Sequence, residues 1–265
     1  MTDASSPSIR FNDGASYERM MGVWSRSAGE IFLDWVAPKP GLAWVDVGCG
    51  NGAFTQLIAE RHAPSVIDGI DPSEPQLAYA RKRPGAAMAA FHLGDAMALP
   101  FSDKSFDVAV MALVIFFVPE PSKGVAEMVR VVSPGGIVAA YAWDMDGGGF
   151  PLQPILGELR KMGHMPSLPP SVDASRLDVM QSLWTSAGLV DIETRVIDVT
   201  REFSDFDDFW SASSAGPSVT AALTVMTPEE IVQLKSRVQA GLSEDAAGRI
   251  VCSARANAIK GRVPG

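Results

Sequence analysis

Trp44-Val45-Asp46-Val47-Gly48-Cys49-Gly50-Asn51-Gly52 is an apolar run holding one acid that breaks into three closely spaced glycines. It reads as a strand feeding a tight turn. Beyond it, Ala53-Phe54-Thr55-Gln56-Leu57-Ile58-Ala59-Glu60 carries apolar residues at helical spacing, so the turn delivers the chain into a helix N-terminus. Strand, glycine turn and helix together make a cofactor cradle. Glycine lets backbone approach a ligand with no Cβ in the way, and the first helical turn offers unpaired N–H groups.

The 265 residues, 47% of them apolar, suffice for one large domain with a sizeable core. No run approaches the roughly 18 consecutive apolar residues of a membrane span. The N-terminus, with Asp3, Arg10, Asn12 and Asp13, has no apolar signal core, so the expected address is the cytoplasm. Cys49 and Cys252 are too few for a disulfide framework or a zinc site and read as free thiols, with no metal expected. A net charge of −9 weighs against nucleic acid or an anionic membrane as partner, since those need clustered Lys and Arg. The one dense basic cluster, Arg81-Lys82-Arg83, sits at an expected helix C-terminus, where the helix dipole accounts for it. Oligomeric state is not legible.

In chain order, residues 17–37 are a helical segment in which Met20, Met21, Trp24, Ala28, Ile31, Phe32 and Trp35 recur at helical spacings, as one or two helices broken near Gly22. Ser65 to Asp71 is a short strand ending in an acid, and Ser73 is the expected N-cap of the helix after it. Asp71 follows Gly48 at about the 20-residue separation from which a second-strand carboxylate reaches a ribose over the glycine turn; capping a helix is its structural alternative. Ala89 to Leu93, Phe106 to Leu113 and Ile137 to Trp143 are further strands, with a helix over Pro121 to Val132. Alternating strands and helices joined by short connections make an α/β, doubly wound, Rossmann-like sheet. The second half adds helices near 152–162 and 174–187, a long strand from Val190 to Phe203, and an antiparallel partner at the sheet edge from Arg249 to Ile259. Helical patterns starting at Ser204 and at Thr227-Pro228-Glu229-Glu230 lie between those strands. The chain is expected to be one domain over 1–265, with a cofactor-binding core at 40–145 and helical lid insertions at 146–172 and 204–246.

Gly48-x-Gly50-x-x-Ala53 also fits a dinucleotide fingerprint. Three features favour another ligand. Asp46, two residues before the first glycine, suits a cationic amino group better than a pyrophosphate; Gly94-Asp95-Ala96 supplies a polar clamp for an adenine edge; and a helical segment precedes the first strand.

With Val45 to Gly52, Ile70-Asp71-Pro72-Ser73, Gly94-Asp95-Ala96 with Leu99-Pro100-Phe101, and Phe106-Asp107-Val108 all in register, the sequence resembles the class I S-adenosylmethionine-dependent methyltransferases. Within them it is similar to the ubiquinone and menaquinone biosynthesis branch, over roughly residues 40–145. The resemblance implies a seven-stranded sheet with the last strand antiparallel, in agreement with the late hairpin. It implies S-adenosylmethionine as cofactor and S-adenosylhomocysteine as product. The methionine part would lie along Asp46, Gly48, Cys49, Gly50, Asn51 and Gly52, with Asp71 on the ribose. Pro72, Ser73 and Gln76 would lie beside the adenosine, and Asp95, Ala96 and Met97 at the adenine edge. Ala112 and Leu113 would pass beneath the sulfonium, while Tyr17 and Arg26 would close over the carboxylate.

One departure matters. Where relatives often carry His or Asn after the fourth strand, Ile115-Phe116-Phe117 stand here. The expected function is therefore methyl transfer to a small molecule whose accepting atom (O, N or C) is open. A non-catalytic regulator or partner subunit that binds the cofactor is the alternative, and an NAD-dependent oxidoreductase a lesser one. No catalytic residue is assigned. Of the histidines, His62 and His92 read as helix-end and strand positions, while His164 in the lid is a candidate base. Tyr141, Trp143 and Asp144 are comparable candidates at the end of the fifth strand. Phe150, Phe209 and Trp210 suit an apolar pocket or ordinary lid packing.

Overall fold

The structure, a computed structural model, describes residues 14–265, with side chains from Met20 onward. Seven strands form one sheet: β1 (Ala43–Val47), β2 (Val66–Asp71), β3 (Ala90–Leu93), β4 (Phe106–Ala112), β5 (Val132–Trp143), β6 (Val190–Phe203) and β7 (Ile250–Arg262). Their order is β3-β2-β1-β4-β5-β7-β6. The first five run parallel, and β7 is antiparallel to both neighbours. The chain winds outward from β1 in one direction and from β4 in the other. A crevice therefore opens at the carboxyl ends of those two strands, where the order reverses.

The central strands are apolar on both faces because helices cover both. Val45, Val47, Val108, Ala109, Val110 and Met111 are fully buried. On the cradle side, α2 (Ala53–His62) and α3 (Glu74–Ala80) flank the first half of the sheet, and α1 (Gly14–Val36) packs on α2 and reaches β6 and β7. The expected break near Gly22 does not occur: α1 is continuous, and Met20, Met21, Trp24, Ala28, Phe32 and Leu33 are all buried. A single glycine costs a helix only about 1 kcal/mol, which this burial outweighs.

Helix α4 (Pro121–Val131) passes directly into β5 at Val132, earlier than the sequence suggests. The register against β4 jumps from Phe106↔Val132 to Val108↔Ile137, so Ser133-Pro134-Gly135-Gly136 loop out as an irregularity inside the strand. After β5 come α5 (Gln153–Lys161), a short 3-10 turn at Val172–Ser175, and α6 (Leu177–Ser186), which docks by donating the buried Trp184 indole N–H to Val138 O at 3.0 Å.

The expected long hairpin is present with one rearrangement. β7 pairs β6 on one side and β5 on the other, so β6 and not β7 forms the sheet edge. Between them lie α7 (Phe206–Ser213), α8 (Pro217–Val225) and α9 (Pro228–Ala240). Helix α7 is capped by Asp205, which accepts from Asp208 N at 2.8 Å, rather than by Ser204. Helix α9 starts with the expected capping box: Thr227 Oγ1 accepts from Glu230 N at 3.2 Å, and Glu230 Oε2 accepts from Thr227 N at 2.8 Å. Glu158 of α5 accepts from Lys161 at 2.6 Å and from Arg237 of α9 at 2.8 Å, tying the two helical insertions together.

Candidate active-site cleft

A cavity of about 1250 Å³ lies over the ends of β1, β2, β4 and β5. Its floor is the glycine turn. Gly48 has φ +78°, and a Cβ there would stand 2.5 Å from Val114 Cγ1, so both conformation and space demand glycine. Gly50, at φ +51°, has open space where a Cβ would be, and its backbone borders the cleft. The amides of Gly48 and Cys49 both donate to Ile70 O, at 2.7 and 3.0 Å, which folds the turn back over the end of β2.

Two acids flank this turn. Asp46 sits on β1 between Gly69 of β2 and Val110 of β4. It is fully buried, and its Oδ2 accepts from Thr55 Oγ1 at 2.6 Å while Oδ1 has no partner. Burial, with the nearby Asp71 charge adding to it, pushes its carboxyl up to about 7 despite the Thr55 hydrogen bond. Asp71 Oδ2 accepts from Gly50 N at 2.9 Å and Oδ1 from Ser73 N at 2.8 Å. Its carboxyl is raised by burial and pulled back by those two amides. Each oxygen keeps a lone pair beyond its amide partner, so Asp71 can brace the turn and still accept from a ligand. Both readings of Asp71, structural brace and ligand acceptor, are thus compatible. Ser73 occupies the N-cap position of α3, but its hydroxyl makes no capping bond and is a buried, unpartnered polar group.

The structure brings most of the expected residues together. Arg26, Asp46, Gly48, Cys49, Gly50, Asn51, Asp71, Pro72, Ser73, Gln76, Asp95, Ala96, Ala112 and Leu113 all line the cleft. Gly52 and Met97 do not. Gly52 lies behind the turn, where a Cβ would meet Ala80 at 2.9 Å, and Met97 packs on the core while its amide donates to Asp95 Oδ1 at 2.8 Å. Tyr17 is on α1, and its side chain lies outside the described residues. Arg26 borders the cleft but engages Glu30 and Glu60 at 3.1 and 3.2 Å.

Sequence reasoning missed several lining residues. The helix end expected at Arg81-Lys82-Arg83 is present, with α3 ending at Ala80 and Arg81 as its C-cap, but Arg83 does more: it donates to Asn51 O at 2.7 Å and Gln56 Oε1 at 3.1 Å, buttressing the turn. Leu168 and Pro170 come from the loop after α5. That loop is latched by Ser171, whose amide donates to Phe116 O at 3.0 Å and whose hydroxyl donates to Val118 O at 2.8 Å. No local pattern announces these contacts, because they form only across the fold. Leu113 holds φ +62°, a left-handed conformation costing a non-glycine residue roughly 1–3 kcal/mol, and this strain sits at the cleft wall.

Of the candidate bases, Tyr141 lines the cleft, its ring 4.6 Å from Phe32 and 5.7 Å from Phe54. Trp143 and Phe150 line a smaller neighbouring cavity. Asp144 accepts from Gly147 N at 3.0 Å, and His164 lies 4.0 Å from Glu230; neither lines either cavity. His92 pairs with Asp68 at 2.6 Å on β3, away from the cleft, and His62 stacks on Trp44 at 5.6 Å with its imidazole pKa lowered by burial. Phe209 and Trp210 pack with Phe203 and Phe206 rather than forming a pocket. Among the described residues no cluster suited to a metal ion occurs, and no helix is long and apolar enough to cross a membrane.

A cavity lined by Asp46, one of whose carboxyl oxygens has no partner, and by Asp71, held on two amides, fits a ligand with a cationic amino group and vicinal hydroxyls. Comparison with known proteins gives the same direction. Residues 45–140 match the family described as "Methyltransferase domain". The ubiquinone/menaquinone biosynthesis C-methyltransferase of Ruegeria sp. is 39% identical over 137 residues, covering 48% of this chain and 54% of that protein. The chain thus spans about half the length of that curated relative. Among solved structures, YcgJ of Bacillus subtilis superposes with a TM-score of 0.60 at 16% identity, over 91% of this chain and 99% of that one. A Haemonchus contortus phosphoethanolamine N-methyltransferase, solved with S-adenosylhomocysteine, gives 0.59 at 18% identity, over 95% and 57%.

Proposed function

On the premise that this chain has the class I methyltransferase fold, with a methyltransferase domain at residues 45–140, we propose that it binds S-adenosylmethionine in the cleft and methylates a small-molecule acceptor. The observation that carries the reading is Asp46. A fully buried acid that lines the cleft and keeps one oxygen without a partner is matched by a cationic amino group and repels a pyrophosphate. That distinguishes the site from a dinucleotide cradle built on the same glycines.

In this reading Gly48, Cys49, Gly50 and Asn51 cradle the methionine end, and Asp71 accepts from the ribose hydroxyls while bracing Gly50. Pro72, Ser73 and Gln76 flank the adenosine, and Asp95 and Ala96 meet the adenine. Arg26 must exchange part of its pairing with Glu30 and Glu60 to reach a carboxylate. The bound cofactor supplies a methyl group on a sulfonium, whose transfer leaves a neutral thioether. The protein's part is alignment and exclusion of water. Leu113, Val114, Phe117 and Val118 give the acceptor side an apolar wall, and residues 146–172 and 204–246 act as its lid, with the Ser171 latch holding the loop that carries Leu168 and Pro170. The Ruegeria relative is named for C-methylation in quinone biosynthesis, but the likeness is concentrated in the cofactor half, so the acceptor is assigned only as a small molecule.

Calorimetric titration with S-adenosylhomocysteine tests the cofactor assignment. Asp71→Ala removes two ribose contacts and weakens binding by roughly 30-fold or more, about 2 kcal/mol. Unchanged binding in a folded Asp71→Ala variant defeats the assignment. Tight NAD binding without S-adenosylhomocysteine binding points to hydride transfer, and cofactor binding without transfer of labelled methyl to any metabolite points to a regulator.

A further inference from the structure

A second cavity, of about 60 Å³, shares Leu113, Phe117 and Leu168 with the main cleft. Its remaining walls include Met20 and Met21 of α1, Trp143 at the end of β5, Phe150, and Gly216 just before α8. Among the described residues no ionisable side chain lines it. Its polar side chains are Ser167 and Ser218, and the Ser218 hydroxyl donates to Ser167 O at 3.4 Å. A charged group entering this space would lose its hydration and gain no partner. A lining of methionine and aromatic side chains, by contrast, suits an uncharged apolar group.

Gly216 is the informative wall. Its φ of −67° and ψ of 141° are open to any residue, so the backbone does not require glycine. Space does: a Cβ would stand 2.7 Å from Met20 Sδ and 2.9 Å from Leu152 Cδ1. A larger side chain would drive those two groups from their places in the cavity wall. On the scale where one water needs about 10–15 Å³, the cavity takes roughly four to six heavy atoms, a compact group rather than a long chain. Leu113, Phe116 and Phe117 fall inside residues 45–140, whereas Phe150, Leu152 and Gly216 fall outside them, so this cavity is closed by walls from the part of the chain not matched by the methyltransferase domain.

We propose that the small cavity is the apolar subsite of the methyl acceptor, that it takes a compact uncharged group attached next to the accepting atom, and that Gly216 sets its depth. The assignment rests on the methyl-transfer reading of the main cleft. It makes Gly216, Phe150 and Met20 determinants of acceptor choice that never touch the cofactor cradle.

Fluorine NMR titration of the protein loaded with S-adenosylhomocysteine tests it with three probes of similar size: 3-fluoropropan-1-ol, 3-fluoropropanoate and 3-fluoropropylammonium. The alcohol is expected to bind saturably and the two ions at least tenfold more weakly. Gly216→Val should weaken the alcohol at least tenfold while S-adenosylhomocysteine affinity stays within twofold. Phe150→Ala enlarges the cavity from another wall by about one phenyl ring and should tighten 4-fluorobenzyl alcohol, too large for the wild-type cavity, at least fivefold, a gain that misfolding cannot imitate. Ions binding as well as the alcohol, or both folded variants leaving the probe affinities unchanged, would overturn the subsite and leave the cofactor reading intact. Alcohol binding without any S-adenosylhomocysteine binding would instead refute the methyl-transfer reading, and the acceptor role with it.

Discussion

Replacing Asp46 by Asn separates what this buried acid does for the fold from what it does for the ligand. Its carboxyl is pushed up to about 7 from an ordinary 3.8, chiefly by burial, with Asp71 adding repulsion and Thr55 opposing. In the folded, ligand-free protein Asp46 therefore holds its proton to near pH 7, while in the unfolded chain it ionises near pH 4. The stability this proton represents is fully present below the unfolded value and is lost as pH rises through the window from about 4 to 7. At 1.36 kcal/mol per pH unit the total is about 4 kcal/mol. Asn keeps an oxygen for Thr55 and has nothing to ionise. The stability difference, Asp46→Asn minus wild type, should thus climb by about 1.4 kcal/mol per pH unit between pH 4 and 7 and then level off, favouring the variant.

Ligand binding should run the other way. A cationic amino group at Oδ1 requires the carboxylate, so S-adenosylhomocysteine should bind wild type up to tenfold more weakly for each unit that pH falls below about 7. The variant should bind weakly at every pH. Urea unfolding of both proteins at a series of pH values gives the first quantity, and calorimetry in buffers of different ionisation enthalpy counts the proton released on binding. A stability difference that varies by less than about 1 kcal/mol from pH 5 to 8, against the roughly 3 kcal/mol expected between pH 5 and 7 alone, would refute the role given to burial. So would an Asp46→Asn variant that binds the ligand as tightly as wild type.

Two further outcomes concern the scaffold. Gly48→Ala should destabilise the fold by roughly 2–5 kcal/mol, combining left-handed strain with overpacking against Val114. Adding Val114→Ala should recover the steric part and not the conformational part, so full rescue in thermal unfolding would contradict the stated cause. Thr227→Ala should cost about 1 kcal/mol by removing one arm of the α9 capping box, and amide exchange should quicken at Glu230 before the rest of the helix.

The cradle is legible in the sequence because its chemistry is local. Three glycines between a strand and a helix, with acids at the ends of β1 and β2, describe a ligand-holding turn within a single short stretch, and the structure places Asp46 and Asp71 on the same cleft. Strand β6 is legible to its ends because alternation and turn residues bound it on both sides. Other features depend on contacts that no single stretch contains. Arg83 resembles a helix-end cation in the sequence because its partners, Asn51 and Gln56, lie on a different helix and turn. Gly22 resembles a break because the burial that keeps α1 whole comes from the sheet and the second-half helices. The position of β7 is half legible: its pairing with β6 follows from the hairpin, but its insertion beside β5 depends on which strand still offers an open edge. Gly216 carries no signal at all, since only α1 and α5 pressing on it make its missing side chain meaningful.

The place of β7 also bears on how the molecule assembles. Strands β1 to β4, and one edge of β5, pair with neighbours that lie within the first 143 residues, so they can organise early. β6 has no such partner: twelve of its residues are matched only to β7, and β7 in turn closes against Ile137 to Trp143 of β5. Until β7 threads into that slot, β5 and β6 both present bare hydrogen-bonding edges, the condition under which chains pair wrongly with one another. Lys260 on β7 also donates to Trp35 O at the end of α1, 225 positions away in sequence. The contacts of β7 are thus the long-range ones that join both halves of the chain, so the slow, edge-exposed step expected of such a topology falls on the docking of a single strand.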